Sequence, residues 1–251
     1  MELSGNTVLI TGGTSGIGFA FAKRFINAGN TVIVCGRDEE KLHETKRQFP
    51  SIITRVCDVA HSEDRKALFE WITTHYPDVN ALVNNAGMLK RFNMLEVNAV
   101  EEWEDYSKEI TTNQEGAIHI AMMFAPYFAK KENAFMINIT SFQAFTPDPF
   151  APIYAATKAA IHSFTISLRH QLSKTPVKIV EVAPPLVNTS GYHDSAVPTD
   201  EFVEKVFQDL QQGKLEIGYG SSEASFRLSR DEIDENVKQI FQKKNNESFG
   251  S

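Results

Sequence analysis

The chain has 251 residues, 42% of them hydrophobic, and a formal net charge of −7. That length suits one sizeable α/β domain, the composition excludes a disordered chain, and the acidic balance argues against a basic surface for nucleic acid. No run approaches the roughly 20 apolar residues that a membrane helix needs, so no membrane insertion is expected. The opening Met1-Glu2-Leu3-Ser4-Gly5 lacks the basic start and apolar core of a signal peptide, which predicts a cytoplasmic protein. Two cysteines, Cys35 and Cys57, and seven scattered histidines show no ligand spacing, so no metal site is predicted.

In chain order, Thr7 to Thr11 predicts a first strand that runs straight into Thr11-Gly12-Gly13-Thr14-Ser15-Gly16-Ile17-Gly18, and Ile17 to Ala28 predicts an amphipathic helix. Glycines between strand and helix permit a tight turn and close backbone approach, and the helix N-terminus offers free N–H groups to a pyrophosphate. The GxxxGxG spacing is a variant of the usual GxGxxG, and a turn used only for packing is the alternative. A second strand, Thr31 to Cys35, ends in Gly36-Arg37-Asp38 rather than in the acid that holds an NAD ribose. The Arg37 guanidinium could bind a 2′-phosphate, which favours NADP(H) over NAD(H); Asp38 could instead take the ribose, leaving NAD(H) possible.

A helix over Glu39 to Gln48 and a strand over Ile52 to Cys57 come next, then Asp58-Val59 and a helix over Asp64 to Thr74. Strands follow at Ala81 to Asn84, Ala134 to Thr140 and Val177 to Ala183, with Lys214 to Tyr219 as a possible last strand and a helix from about Asp231 to Gln242. Strand and helix in alternation imply right-handed crossovers and a parallel sheet covered on both faces. The predicted fold is a single α/β domain over residues 1–251, a Rossmann-type doubly wound sheet, with residues 245–251 a frayed polar tail.

Tyr154 and Lys158, at i and i+4, share one face of a helix, where an ammonium beside a phenol would lower its pKa from about 10. Alone, the pair more often describes a packed tyrosine and a solvated lysine. Ser141 precedes Tyr154 by 13 residues (154 − 141) and closes the strand Phe135-Met136-Ile137-Asn138-Ile139, at the strand end where such sheets bind ligands.

Taken together, Thr11 to Gly18, Asp58-Val59, Asn84-Asn85-Ala86-Gly87, Asn113, Ser141 and Tyr154 with Lys158 resemble the short-chain dehydrogenase/reductase family across roughly residues 5 to 190. The resemblance implies a carbonyl or alcohol substrate of small size. It makes Tyr154 the general acid or base, Ser141 the hydrogen-bond donor to the reacting oxygen, Lys158 the modulator of Tyr154 and a ribose ligand, and Asn113 the anchor of a relay water. A helix-kinking or capping role is the alternative for Asn113. The cofactor residues it implies are Gly12, Thr14, Ser15, Gly16, Ile17, Gly18, Arg37, Asp58, Val59, Asn85, Ala86, Gly87, Tyr154, Lys158, Val187 and Thr189. Pro185 stands where the family's PGxVxT segment has glycine, and proline's fixed φ and missing N–H prevent transfer of that contact. The Pro184-Pro185 variant, with the 217–222 and 226–228 segments, resembles a DltE-type subgroup associated with teichoic acid D-alanylation, which names no substrate.

Specificity is expected in Met88 to Ile110 and Ser190 to Gly213, with residues 190–230 as a lid region. Met88, Leu89, Phe92, Phe142, Phe145 and Phe150 could line an apolar site or pack in the core, and Lys90 and Arg91 could meet an anion. Met122, Met123, Phe124, Tyr127, Phe164, Ile166 and Leu168 on the two family interface helices predict a homodimer or homotetramer. A nucleotide-binding regulator without turnover and an epimerase or dehydratase are the competing readings.

Overall fold

Runs of β-branched residues that are apolar on both faces need cover from both sides, and the chain supplies it by returning each strand through a helix. The computed structural model describes residues 1–189 and 196–248. From the N-terminus come β1 (Thr7–Thr11), α1 (Gly16–Asn27), β2 (Thr31–Gly36), α2 (Glu39–Gln48), β3 (Ile53–Val56), α3 (Ser62–His75) and β4 (Val79–Asn84). Then follow α4 (Ala99–Ile110), a π-helical turn (Thr111–Gly116), α5 (Ala117–Phe128), β5 (Ala134–Ile139), a short 3₁₀ turn (Phe142–Ala144), α6 (Pro152–Gln171) and β6 (Val177–Val182). The chain continues through β7 (Val187–Asn188), β8 (Val197–Pro198), α7 (Thr199–Gln211), β9 (Glu216–Ile217), α8 (Ser221–Ser225) and α9 (Arg230–Ser248).

Seven strands form one parallel sheet in the order β3-β2-β1-β4-β5-β6-β9, while β7 and β8 pair separately. The winding reverses between β1 and β4, whose register sets Val8 beside Ala81 and Ile10 beside Val83. Ligands in such sheets bind where neighbouring strand ends send their loops to opposite faces, which places the crevice here.

Strand alternation divides the interior into two layers. Val8 and Ile10 of β1 and Val32 and Val34 of β2 join Phe21, Phe25, Phe202 and Phe207 of α1 and α7. Leu9, Ile33 and Cys35 point to the other face, against Leu68, Ile72, Phe124 and Phe128 of α3 and α5. Each buried Phe or Leu contributes roughly 1.5–3 kcal/mol relative to exposure, so the two layers clamp the sheet and hold its loop-bearing edge rigid.

Several boundaries differ from expectation. The Met88 to Ile110 segment is a loop only as far as residue 98, because α4 takes up the rest and runs through the π turn into α5. Likewise α7 occupies most of the second expected loop, whose residues 190–195 lie outside the described residues. The last strand shrinks to Glu216–Ile217, since only these residues pair with β6. Residues 245–248, expected to fray, continue the backbone of α9, and 249–251 lie outside the described residues.

The expected interface face is smaller than its sequence suggested. Phe124 and Leu168 belong to the chain's own core, with Phe124 edge-on to Phe69 at 5.0 Å, and the Tyr127 hydroxyl donates to the Pro77 carbonyl. Met122 stays exposed, with Met123, Phe164 and Ile166 half-buried. Among the described residues no helix is long and apolar enough to cross a membrane.

Candidate functional site

The end of β1 is joined to the end of β4 by one threonine. Thr11 Oγ1 accepts from the backbone N–H groups of Asn85 and Ala86, both at 3.0 Å. Asn85 returns the contact, its Nδ2 donating to the carbonyls of Thr11 (3.0 Å) and Gly12 (3.1 Å). The two backbones are so close that a Cβ on Gly12, which has φ +63°, would stand 2.9 Å from Ala86 Cα. Only glycine tolerates both the conformation and the approach. At the start of α1, Ser15 makes no side-chain cap, so the first N–H groups of the helix remain available to an anion.

A cleft of about 640 Å³ runs along this edge of the sheet. Gly12, Thr14, Ser15, Gly16 and Ile17 line one part of it, with Arg37, Asp58 and Val59 outward of them. Asn85, Ala86 and Gly87 form the middle; Ser141, Tyr154 and Lys158 stand at the inner end, and Val187 and Thr189 complete the wall. The shape and donor set fit an extended dinucleotide: a glycine cradle for phosphates, a cation at one end and hydroxyl and amine groups at the other. Two expected residues lie behind the wall rather than on it. Gly18 sits beneath the loop, where an added Cβ would collide with the Gly12 carbonyl oxygen and the Asn85 amide, so its task is close packing. Asn113 is also absent from the wall.

At the Arg37 end of the cleft, Asp38 caps α2, one carboxylate oxygen accepting from Lys41 N–H at 3.1 Å. Lys41 lines the cleft with Arg37 and was missed in the sequence, although its place in the first turn after Asp38 signals it. One Asp58 oxygen is also engaged, accepting from Ala60 N–H at 3.0 Å.

At the inner end Ser141 is extended and buried after β5, and its Oγ accepts from Gln143 N–H at 3.1 Å. With a lone pair so occupied, the hydroxyl keeps its proton to donate, here to the Tyr154 phenol. Lys158 is buried on α6, its Nζ donating to the Ile139 carbonyl at 2.8 Å and lying 5.6 Å from the centre of the Tyr154 ring. Contrary to the expected lysine effect, burial pushes the Tyr154 phenol up to about 12, against the downward pull of its hydrogen bond with Ser141; Glu109 adds to the rise and Arg91 opposes it. Burial likewise lowers the Lys158 ammonium to about 8, with Glu109 pulling it back up. Desolvation outweighs the pair's own attraction because the ammonium is directed at a carbonyl rather than at the phenol. The phenol is thus protonated at neutral pH.

Asn113 lies in the π turn, fully enclosed. Its Oδ1 accepts from Met88 N–H at 2.8 Å, and its Nδ2 donates to the Met88 carbonyl (2.8 Å) and to Thr157 Oγ1 (3.2 Å). The side chain ties the loop after β4 to α6, which leaves only its backbone to hold a water. Such π turns displace helical carbonyls from regular pairing and recur at functional sites.

The expected apolar lining separates into two groups. Met88, Leu89 and Phe142 reach the cleft. Phe92 packs on Tyr106, Phe145 on His162 and Phe226, and Phe150 on Phe241. Lys90 stacks over Tyr106 at 4.1 Å, whereas Arg91 lines the cleft, its side chain 52% exposed and its Nε 3.6 Å from buried Asp148. Gln143 also lines the cleft, with a buried Oε1 that has no hydrogen-bond partner among the described residues, and its adjacency to Ser141 was the overlooked signal.

Fold and cleft together define an oxidoreductase class built around a nicotinamide dinucleotide. The family model for short chain dehydrogenases matches residues 6–197, and the chain belongs to that family, whose members act on CH–OH groups with NAD or NADP. It is 42% identical over 226 residues to a Bacillus subtilis (strain 168) protein described as uncharacterized oxidoreductase DltE, covering 86% of this chain and 89% of that one. It is 32% identical to the NADP-dependent 3-hydroxy acid dehydrogenase YdfG of Salmonella typhi, across 74% of each chain. A short chain dehydrogenase from Burkholderia cenocepacia J2315, solved in complex with NADP, superposes with a TM-score of 0.81 at 21% identity, covering 94% of this chain and 99% of that one. These matches bear out the family resemblance, the DltE-type subgroup and the doubly wound fold.

Gly18→Ala tests the packing beneath the loop. The added methyl should lower stability by about 1–3 kcal/mol and weaken dinucleotide affinity by about tenfold or more, read by denaturant melts and NADPH fluorescence titration.

Proposed function

We propose that the protein is an NADP(H)-dependent oxidoreductase that interconverts a small carbonyl compound and its alcohol, with Tyr154 as the general acid or base. The observation that carries this reading is the convergence of Ser141, Tyr154 and Lys158 at the inner end of a cleft whose outer end presents the glycine loop and Arg37. Bound NADPH would supply the hydride. In the reductive direction Tyr154 gives its proton to the carbonyl oxygen, and Ser141 donates a hydrogen bond to the same oxygen as charge develops on it. Lys158 supplies an ammonium beside both and is placed to hold ribose hydroxyls. The regulator reading leaves Ser141 and the Tyr154 proton without a purpose, since nucleotide binding needs the glycine loop but not a proton donor.

Cofactor preference follows from three side chains. Arg37 and Lys41 put two cations at the adenosine end, and Asp38 is engaged in capping α2. A 2′-phosphate gains charge-assisted hydrogen bonds there, which favours NADP(H). The substrate is an oxo or hydroxy acid. Support comes from the resemblance to 3-hydroxy acid dehydrogenases and from Arg91, which pairs with Asp148, lines the cleft and acts electrostatically on Tyr154. Asn113 acts as a structural tie whose backbone holds any relay water. The protein works as a homodimer at least, burying Met122, Met123, Phe164 and Ile166 across paired helices.

Three measurements check the reading. In a screen of 3-oxo acids and neutral ketones for NADPH oxidation, the acids should turn over faster, and Tyr154→Phe should lower kcat on the best substrate by roughly 10²–10⁴-fold; wild-type turnover by that variant would remove the proton-donor role. Arg37→Ala should weaken NADPH by about tenfold and leave NADH nearly unchanged, whereas equal losses would remove the 2′-phosphate contact. Light scattering should give at least twice the chain mass, and a monomer would end the interface assignment.

A further inference from the structure

A buried arginine stands behind the outer wall of the cleft, and the proposed reaction assigns it no task. Arg65 of α3 is only 2% exposed, and a guanidinium so enclosed is costly unless acceptors meet its N–H groups. Its Nη1 donates to the Val59 carbonyl at 2.6 Å, its Nη2 to Glu115 Oε1 at 2.7 Å and its Nε to His119 Nδ1 at 2.9 Å. Val59 lines the cleft beside Asp58, whereas Arg65, Glu115 and His119 are absent from its wall.

The acceptors belong to two separate parts of the chain. Val59 follows β3, while Glu115 lies in the π turn and His119 in the first turn of α5. Among the described residues no backbone N–H is bonded to the Val59 carbonyl, so the guanidinium is what fixes it. The π turn is pressed against the same oxygen, since a Cβ on Gly116 would stand 2.7 Å from it. That carbonyl shares a planar peptide unit with the N–H of Ala60, and this N–H donates to Asp58 Oδ1 at 3.0 Å. Orienting one end of the plane therefore orients the other, and with it the Asp58 carboxylate.

We propose, resting on the dinucleotide reading of the cleft, that Arg65 is a positioning residue: braced by Glu115 and His119, it sets the Val59–Ala60 peptide and so presents Asp58 and Val59 to the adenosine half of the cofactor. The bond to Val59 is short and charge-assisted, which suits it to holding a peptide plane in one orientation. Glu115 anchors the far side of the guanidinium from the surface, its side chain 58% exposed.

Glu115 supplies a test with an unambiguous sign. Because it stands outside the cleft wall and carries a negative charge, its loss by charge alone would tighten the binding of anionic NADPH; loss of a brace would weaken it. Dissociation constants for NADPH, and for 2′,5′-ADP as the adenosine half alone, are measured by fluorescence titration and displacement. Glu115→Ala should weaken both ligands by about threefold and Arg65→Met by about tenfold or more, while Glu115→Gln, which keeps an acceptor oxygen, should stay within about twofold of wild type. The double variant Arg65→Met with Glu115→Ala should bind no more weakly than Arg65→Met, because the brace has nothing left to act on. Unchanged or tighter binding in Glu115→Ala overturns the proposal, as do additive losses or a loss for NADPH that spares 2′,5′-ADP. If Arg65→Met does not fold, the two Glu115 variants decide, since their site is exposed. A wild type that binds neither NADPH nor NADH would instead sink the dinucleotide reading and this proposal with it, whereas tight wild-type binding that Glu115→Ala leaves untouched removes the proposal alone.

Discussion

The architecture depends on how the ends of β1 and β4 are held while the chain leaves them in different directions. A parallel sheet whose winding reverses between two neighbours opens a crevice there, but an open crevice is not yet a site. The Thr11 hydroxyl accepting two backbone N–H groups from Asn85 and Ala86, and the Asn85 amide answering at Thr11 and Gly12, fix the separation of the two loops. Glycine at 12 and 18 lets them approach that closely. The two hydrophobic layers then make this edge rigid, so the groups carried on the loops arrive in fixed places.

At the inner end of the cleft, electrostatics is governed by burial more than by pairing. Tyr154 and Lys158 are each pushed toward their neutral forms, the phenol upward and the amine downward. A neutral phenol at physiological pH is a proton donor by default. A lysine near the edge of its charged range, by contrast, is sensitive to any nearby carboxylate.

Much of this was legible in the residues. The strand and helix periods place β1, α2 and β4 to β6 within a residue or two, because their cores are apolar on the faces that the period demands. The glycine loop and the Ser141, Tyr154 and Lys158 spacing place their residues along one cleft. Harder to read were side chains whose partners lie far away in sequence. Phe124 and Leu168 looked like spare surface because Phe69 and the α3 layer that cover the core are distant in the chain. Lys90 and Arg91 are adjacent and alike in charge, yet Tyr106 draws one away and Asp148 steadies the other at the cleft.

Local sequence by itself determined the succession of elements, the glycine conformations and the helical spacing that puts Tyr154 and Lys158 on one face, since each rests on backbone preference or short-range period. Only the tertiary structure decided the sign of the pKa shifts, the tie of Asn113 to Met88 and Thr157, and the enclosure of Glu109. Desolvation and long-range hydrogen bonding depend on what surrounds a group in space, and that surrounding is assembled from segments as far apart as β4, α4 and α6.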